Sequence, residues 1–406
     1  MSIQSGKHIL CTWELGGGLG HLTRLANITR KLEQRNYRVT VAVRDLARAT
    51  DVFAGTQARL LQAPVWLTRI SLNRPIACMA DTLLLLGYLE PAGLRGLLQG
   101  WRNLIDTAEP DLCLFDFSPT AILASHHRTI PKIRVGSGFH DPVPDHPIAD
   151  WRPVRYNDDL VTRQEALLLE KINRALTLEQ QSPLQRYTDI FRLDATVIDT
   201  FPALDIYGDV RSQGIYCPYR HTAPTLDPVI FPAGEGPAVI AYLQADNQHL
   251  KLHLEALRQC KARVFVVCPG GQDAILKPFA SSRLHYSTHR VALKQGIADA
   301  DLLVSHGAIG TLTEALAAGT PVLGIPTQME QLLNLQKVQA LGAGVLVDRI
   351  ESAADLCNRI NLALDTPALK TAAQDIANRQ PDKPPTDAAT TVADLCDQWL
   401  GCGAST

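Results

Sequence analysis

Residues 301–326 pack a strand, a tight turn, a helix and a second strand into one short run, and nothing else in the chain constrains the fold as strongly. Leu302, Leu303 and Val304 are apolar, and His306-Gly307-Ala308-Ile309-Gly310 is a turn of small residues. Helix formers follow from Thr311, Gly319 stops them, and Val322 to Ile325 is apolar again. Two strands joined through a helix belong to a parallel sheet whose faces are covered by helices.

The same pattern opens the chain. Residues 8–13 are a short apolar run, followed by Glu14-Leu15-Gly16-Gly17-Gly18-Leu19-Gly20-His21. Leu22, Leu25, Ile28 and Leu32 then recur at helical spacing, and residues 38–43 alternate with β-branched residues. Further strands are expected at 111–117 and 132–135, and an amphipathic helix at 163–178. Residues 63–106 are leucine-rich and broken by Pro75 and Pro91, which reads as short helices. At 406 residues the chain exceeds one ordinary core, and two domains are expected. Prolines 218, 224, 228, 232 and 237 mark a change of texture after Tyr216. The expected division is a first domain at 1–216, a linker at 217–237, a second domain at 238–385 and a terminal helical segment at 386–406. Within the second domain, 238–243, 263–267, 302–304 and 322–325 read as strands and 250–260 as a helix.

A net charge of −2 with both signs interspersed gives no basic stripe, so a nucleic-acid partner is not expected. The longest apolar run, 83–89, falls far short of the roughly 20 residues of a membrane span. The nine cysteines are scattered without a Cys-x-x-Cys pair, and several sit in apolar runs. Buried reduced thiols are therefore expected, with a cytoplasmic location and at most peripheral contact with a membrane surface.

The 301–326 run also carries chemistry. Gly307 and Gly310 let backbone approach a ligand, and the free N–H groups at the following helix start form an anion site. His306 and Thr311 add donors at that end. Glu314 lies three residues beyond Thr311 on the same helix face, placed for the vicinal hydroxyls of a ribose. Together these residues ask for a ribonucleoside diphosphate.

The pattern His-Gly-x-x-Gly-Thr-x-x-Glu-Ala, then Gly-x-Pro, then Pro326-Thr-Gln-Met-Glu330-Gln331-Leu-Leu-Asn334 resembles glycosyltransferase family 1, the UDP-glycosyltransferases. That resemblance implies an α/β protein of the GT-B fold, two Rossmann-like domains facing each other across a cleft. It implies that His306 and Thr311 contact the diphosphate, with Gly307 and Gly310 shaping the turn. Glu314 would hold the ribose, and Glu330 and Gln331 the hydroxyls of the donor sugar. On the acceptor side, Gly20-His21 at the start of a helix that continues to Leu25-Ala26 is similar to the family's general base. Asp116 stands where the family carries the carboxylate that orients that base. Many members have proline three residues after the histidine, where this chain has Arg24.

The expected reaction is transfer of a sugar from a nucleoside-diphosphate sugar, UDP-hexose by default or a dTDP-sugar, to a hydroxyl of a small-molecule or lipid-like acceptor. The resemblance implies inversion at the anomeric carbon. The helix N-terminus, Thr311 and His306 stand in for a metal ion, so no metal or further cofactor is expected. Rival readings are a peptidoglycan-type N-acetylglucosaminyltransferase, a sugar-nucleotide 2-epimerase sharing the fold, and a non-catalytic nucleotide-sugar-binding partner subunit. His126-His127 lacks a third ligand at metal spacing. His140, His146, Trp66 and Trp101 are weaker acceptor-side candidates, with loop or core roles the simpler reading.

Overall fold

The computed structural model describes residues 6–17, 19–68, 70–126, 128–152, 154, 156–218, 226–379 and 386–401. The chain forms two compact units, Met1–Pro218 together with Thr386–Thr406, and Tyr219–Pro385.

The first unit is a parallel sheet of β1 (His8–Trp13), β2 (Arg38–Val43), β3 (Arg59–Gln62), β4 (Leu112–Asp116), β5 (Lys132–Gly136), β6 (Ala195–Ile198) and β7 (Ile215–Tyr216). Its strand order is β3-β2-β1-β4-β5-β6-β7. Helices α1 (Gly20–Gln34), α2 (Leu46–Val52), α3 (Met79–Leu83), α4 (Pro91–Ala108), α5 (Pro119–Ala124) and α6 (Leu160–Leu178) accompany it. Every residue of β1 and β4 is buried, which is why both read as unbroken apolar runs. Helix α1 buries Leu22, Leu25, Ile28 and Leu32 on one stripe against the sheet. The strand order turns back between β1 and β4. In open α/β sheets ligands bind beyond the carboxyl ends of strands at such a point.

The second unit repeats the plan with β8 (Ala238–Tyr242), β9 (Arg263–Val267), β10 (Leu284–Ser287), β11 (Leu302–Ser305), β12 (Val322–Gly324) and β13 (Gly344–Leu346). The order is β10-β9-β8-β11-β12-β13, all parallel, with its turning point between β8 and β11. Helices α7 (Leu250–Gln259), α8 (Asp273–Leu276), α9 (Leu293–Ala298), α10 (Ile309–Ala318), α11 (Met329–Ala340), α12 (Ala353–Leu364) and α13 (Pro367–Asn378) belong to this unit. Residues 226–237 pack on it too: Ala292 donates to the Asp227 carbonyl at 2.8 Å and Arg263 to that of Pro232 at 3.3 Å. Of the proline-rich stretch at 217–237, Cys217 and Pro218 thus belong to the first unit and 226–237 to the second. Residues 219–225 lie outside the described residues.

The last helix, α14 (Ala388–Leu400), belongs to the first unit. It buries Ala388, Val392, Ala393 and Cys396 in the same core as α1. Arg35 at the end of α1 pairs with Asp394 at 2.6 Å and with Asp397, and Tyr37 donates to Asp397 at 2.7 Å. Val392→Asp would bury an unpaired carboxylate there and is expected to cost the first unit about 3–5 kcal/mol. All five tryptophans, at 13, 66, 101, 151 and 399, lie in this unit. Tryptophan fluorescence through a urea titration therefore reports its midpoint selectively.

The described cysteines are all unpaired and buried. No helix among the described residues is long and apolar enough to cross a membrane.

Candidate functional site

In the first unit the loop after β1 turns at Gly16 and delivers His21 to the second residue of α1. Gly16 has φ of +86°, and a Cβ there would stand 2.8 Å from the His21 Nε2. A side chain at this position would be both strained and in the way of that nitrogen. The loop is held by Leu15 N–H donating to the Phe117 carbonyl at 3.0 Å and by Arg44 donating to the Gly16 carbonyl at 2.8 Å. The Trp13 indole stacks on the His21 ring, centroids 5.5 Å apart and planes 17° from parallel.

The last residue of β4 is Asp116, wholly buried, and its Oδ1 lies 2.7 Å from the His21 Nδ1. Burial alone would push this carboxyl up, but Arg24 and His21 outweigh it and hold it below its ordinary value. An ionised carboxylate can only accept, so Nδ1 carries the hydrogen, and in the neutral ring Nε2 presents a lone pair. Adjacent β1 and β4, paired Trp13 to Asp116, thus bring together two residues far apart in the chain. His140 lies close by, its ring 6.4 Å from that of His21 and stacked on Phe117 at 3.7 Å. Burial, with His21 next, drives its imidazole well below the usual range.

Sequence reading gave no role to Arg24, Asp199 or Glu14. Arg24 donates to Asp116 Oδ2 at 2.7 Å and to Asp199 Oδ2 at 2.5 Å. Asp199 follows β6, a strand the periodicity does not reveal. Glu14, also missed, is buried where it accepts from the Thr120 N–H at 3.0 Å and from the Thr120 hydroxyl, and burial raises it to about 7.

In the second unit His306 follows β11 and lies beside Tyr242, the last residue of β8, with ring centroids 5.7 Å apart. Burial lowers its imidazole below the ordinary value, favouring the neutral ring. Gly307 has φ of +92°, and a Cβ there would meet Leu335 at 2.7 Å and the Gln331 carbonyl at 3.0 Å. That close contact joins the two halves of the motif, and Asn334 adds a hydrogen bond to the Gly307 carbonyl at 3.3 Å. Helix α10 begins without a side-chain cap. Leu312 is its first N–H bonded back along the helix, to Ala308. The N–H groups of Ile309, Gly310 and Thr311 are therefore left without intrahelical acceptors, at the end of the helix where negative charge is favoured.

Glu314 is 6% exposed and its Oε1 has no hydrogen-bond partner, while burial, only partly offset by Lys294, pushes the carboxyl up to about 7. Glu330 sits in the first turn of α11, and the Gln331 oxygen accepts from the Thr327 N–H and hydroxyl, both at 2.9 Å. That oxygen is engaged within the protein, so toward a ligand Gln331 acts as a donor. Beside them a cavity of about 650 Å³ is lined by Gln244, Asp246, Pro326, Thr327, Gln328 and Arg349.

The raised Glu314 carboxyl has a measurable consequence. An unfolded chain ionises this group near 4.5, the folded protein near 7. As pH rises the unfolded state loses its proton first, so stability falls between about 4.5 and 7 and is flat above. Glu314→Gln removes this penalty and should stabilise the ligand-free protein above pH 7 by about 3 kcal/mol. The check is thermal unfolding at pH 5 and pH 8, with most of the gain appearing at pH 8.

The weaker candidates separate. Trp101 is wholly buried in the core. Trp66 packs against Gly87 and Gly93. His126 is exposed and meets the Ile190 carbonyl at 3.3 Å, while His127 lies outside the described residues. Gly18, quoted in the first glycine loop, also lies outside them. Among the described residues no group of three or more His, Cys, Asp or Glu could hold a metal ion.

Comparisons with known proteins bear on the fold and on the class of activity. Residues 286–395 match the family described as erythromycin biosynthesis protein CIII-like, C-terminal domain. The chain is 23% identical to an NDP-glycosyltransferase, YjiC, of Bacillus licheniformis, over 80% of this chain and 81% of that one. It is 25% identical to a PGL/p-HBAD biosynthesis glycosyltransferase of Mycobacterium tuberculosis, over 63% of each. Among solved structures it resembles CalG4, the calicheamicin glycosyltransferase, with a TM-score of 0.71 at 18% identity, covering 98% of this chain and 99% of that one. It also resembles the spinosyn rhamnosyltransferase SpnG complexed with thymidine diphosphate, TM-score 0.66 at 14% identity, over 96% and 99%. The fold is GT-B, built from two Rossmann-like α/β units.

Proposed function

We propose that this chain, a glycosyltransferase of the GT-B type resembling the UDP-glycosyltransferases, moves a sugar from a nucleoside diphosphate to an acceptor hydroxyl with inversion at the anomeric carbon. The observation that carries the reading is the His21–Asp116 pair, 2.7 Å apart, at the turning point of the first sheet.

In this mechanism Nε2 of His21 takes the proton of the acceptor hydroxyl as the oxygen attacks the anomeric carbon. Asp116 stabilises the imidazolium that forms. The bond from that carbon to the diphosphate oxygen breaks on the opposite face, so configuration inverts. The leaving diphosphate gathers charge at the N-terminus of α10, where the N–H groups of Ile309, Gly310 and Thr311, the Thr311 hydroxyl and His306 receive it. Glu314 accepts from the ribose hydroxyls, and Glu330 and Gln331 hold the sugar hydroxyls. Because these donors neutralise the leaving group, transfer proceeds equally well with EDTA present.

An apolar acceptor is supported by the loops after β1, β3 and β5, which expose Leu19, Val65, Leu67, Val154 and Tyr156. A UDP-sugar or a dTDP-sugar fits the donor site, the latter supported by the thymidine diphosphate bound to the similar SpnG.

The test is incubation with UDP- and dTDP-sugars and a panel of hydroxylated apolar acceptors, read by mass and by the anomeric proton coupling of the product. A glycoside of inverted configuration is expected. A retained anomer, or epimerised sugar nucleotide formed without acceptor, would contradict the mechanism.

A further inference from the structure

The arginine at the fourth residue of the His21 segment is not a bystander to the pair it touches. Arg24 stands one helical turn beyond His21, on the same face of α1. Its side chain is 8% exposed, between Asp116 at 1% and Asp199 at 5%. The four groups form one unbroken line. His21 Nδ1 meets Asp116 Oδ1 at 2.7 Å, and Asp116 Oδ2 accepts from Arg24 Nη1 at 2.7 Å. Arg24 Nε then donates to Asp199 Oδ2 at 2.5 Å. Asp199 is anchored by its own N–H donating to the Gly136 carbonyl at 2.9 Å. Its other oxygen, Oδ1, is buried without a partner.

A lone carboxylate beside an imidazole lends it the full effect of one negative charge. Here half of that carboxylate is spoken for by a guanidinium, and the guanidinium is in turn balanced by a second carboxylate. Resting on the reading of His21 as general base, we infer that Arg24 and Asp199 are positioning residues that set its basicity through Asp116. Arg24 fixes the rotamer of Asp116, so that Oδ1 faces His21, and draws charge away from it. Asp199 returns part of that charge. Burial acting on Asp199 outweighs Arg24 and lifts its carboxyl above the ordinary value, so the ion pair is maintained against a cost.

Among the described residues two further charged or titratable groups stand near His21. His140 faces it from the loop after β5, and Arg44 reaches the Gly16 carbonyl from the loop after β2. Trp13 and Phe117, which also flank the ring, carry no charge.

The line makes predictions of opposite sign. Arg24→Met removes the positive charge nearest Asp116, so His21 should hold its proton more tightly. Its titration midpoint, followed by the imidazole Cε1–H signal in NMR, should rise by about one pH unit. Asp199→Asn leaves Arg24 unbalanced, and the midpoint should fall. The double variant should return toward the wild type, and Arg24→Lys, which keeps the charge, should stay near it even if the methionine variant folds poorly. The acid limb of the pH–rate profile should move with the midpoint in each case. Shifts of the same sign in both single variants, or no shift in either, would overturn the inference. The NMR midpoint is independent of transfer, so it stands apart from the base assignment, which fails separately if His21→Ala remains active.

Discussion

His21→Ala is expected to lower the turnover number for transfer by about 10²- to 10⁴-fold while leaving nucleoside-diphosphate affinity unchanged. The range is that of a positioned general base, and among the described residues no second base stands in the same geometry. Among the described residues His140 is the imidazole beside it, but its ring centroid lies 6.4 Å from that of His21 and burial favours its neutral form without a carboxylate partner in hydrogen-bond reach. Asp116→Asn should also be severe. An amide can donate to Nδ1 and so favour the tautomer in which Nε2 bears the hydrogen and cannot act as base. It also leaves Arg24 with one carboxylate in place of two. Single-turnover rates at saturating donor separate chemistry from binding, and the account requires the whole loss to fall in the chemical step.

Glu314→Ala should weaken nucleoside-diphosphate binding by roughly 10- to 100-fold, the value of hydrogen bonds to a charged group at a buried site. The same substitution should cost much less with a 2′,3′-dideoxyribose analogue, because the lost carboxylate then has no hydroxyl to accept from. The wild type should discriminate against that analogue by a similar factor. Accepting from the ribose hydroxyls should also draw Glu314 into its ionised form. Since burial holds the free carboxyl near 7, up to about half a proton should be released at neutral pH. Titration calorimetry in buffers of different ionisation enthalpy measures both effects together.

What the sequence revealed and what it concealed follow from burial. The central strands, such as β1, β4, β8 and β11, are covered on both faces and appear as continuous apolar runs. The missed strands β3, β6, β7, β10 and β13 are short and lie at or near the sheet edges. Arg59-Leu-Leu-Gln62 and Leu284-His-Tyr-Ser287 interleave polar residues accordingly. Candidate site residues were legible where the motif is local. His306, Gly307, Gly310, Thr311 and Glu314 share one strand–turn–helix, and only a resemblance joined His21 to Asp116. Arg24 was visible merely as a departure from proline. Its reason lies in Asp199, 175 residues away at the end of an unrecognised strand, and no spacing rule reaches that far. Glu14 was hidden similarly, because its partner Thr120 is 106 residues distant.

The donor site is the premise on which the transfer mechanism stands, and thermal unfolding with UDP and with dTDP tests it most directly. At a hundredfold excess over the dissociation constant, a specific nucleotide adds about 2.7 kcal/mol to stability, which should raise the midpoint of the second unit by roughly 5–10 °C. That shift is expected in the wild type and in His21→Ala, and its reduction to about half or less in Glu314→Ala. No shift with any nucleoside diphosphate, or an equal shift in Glu314→Ala, would contradict that premise.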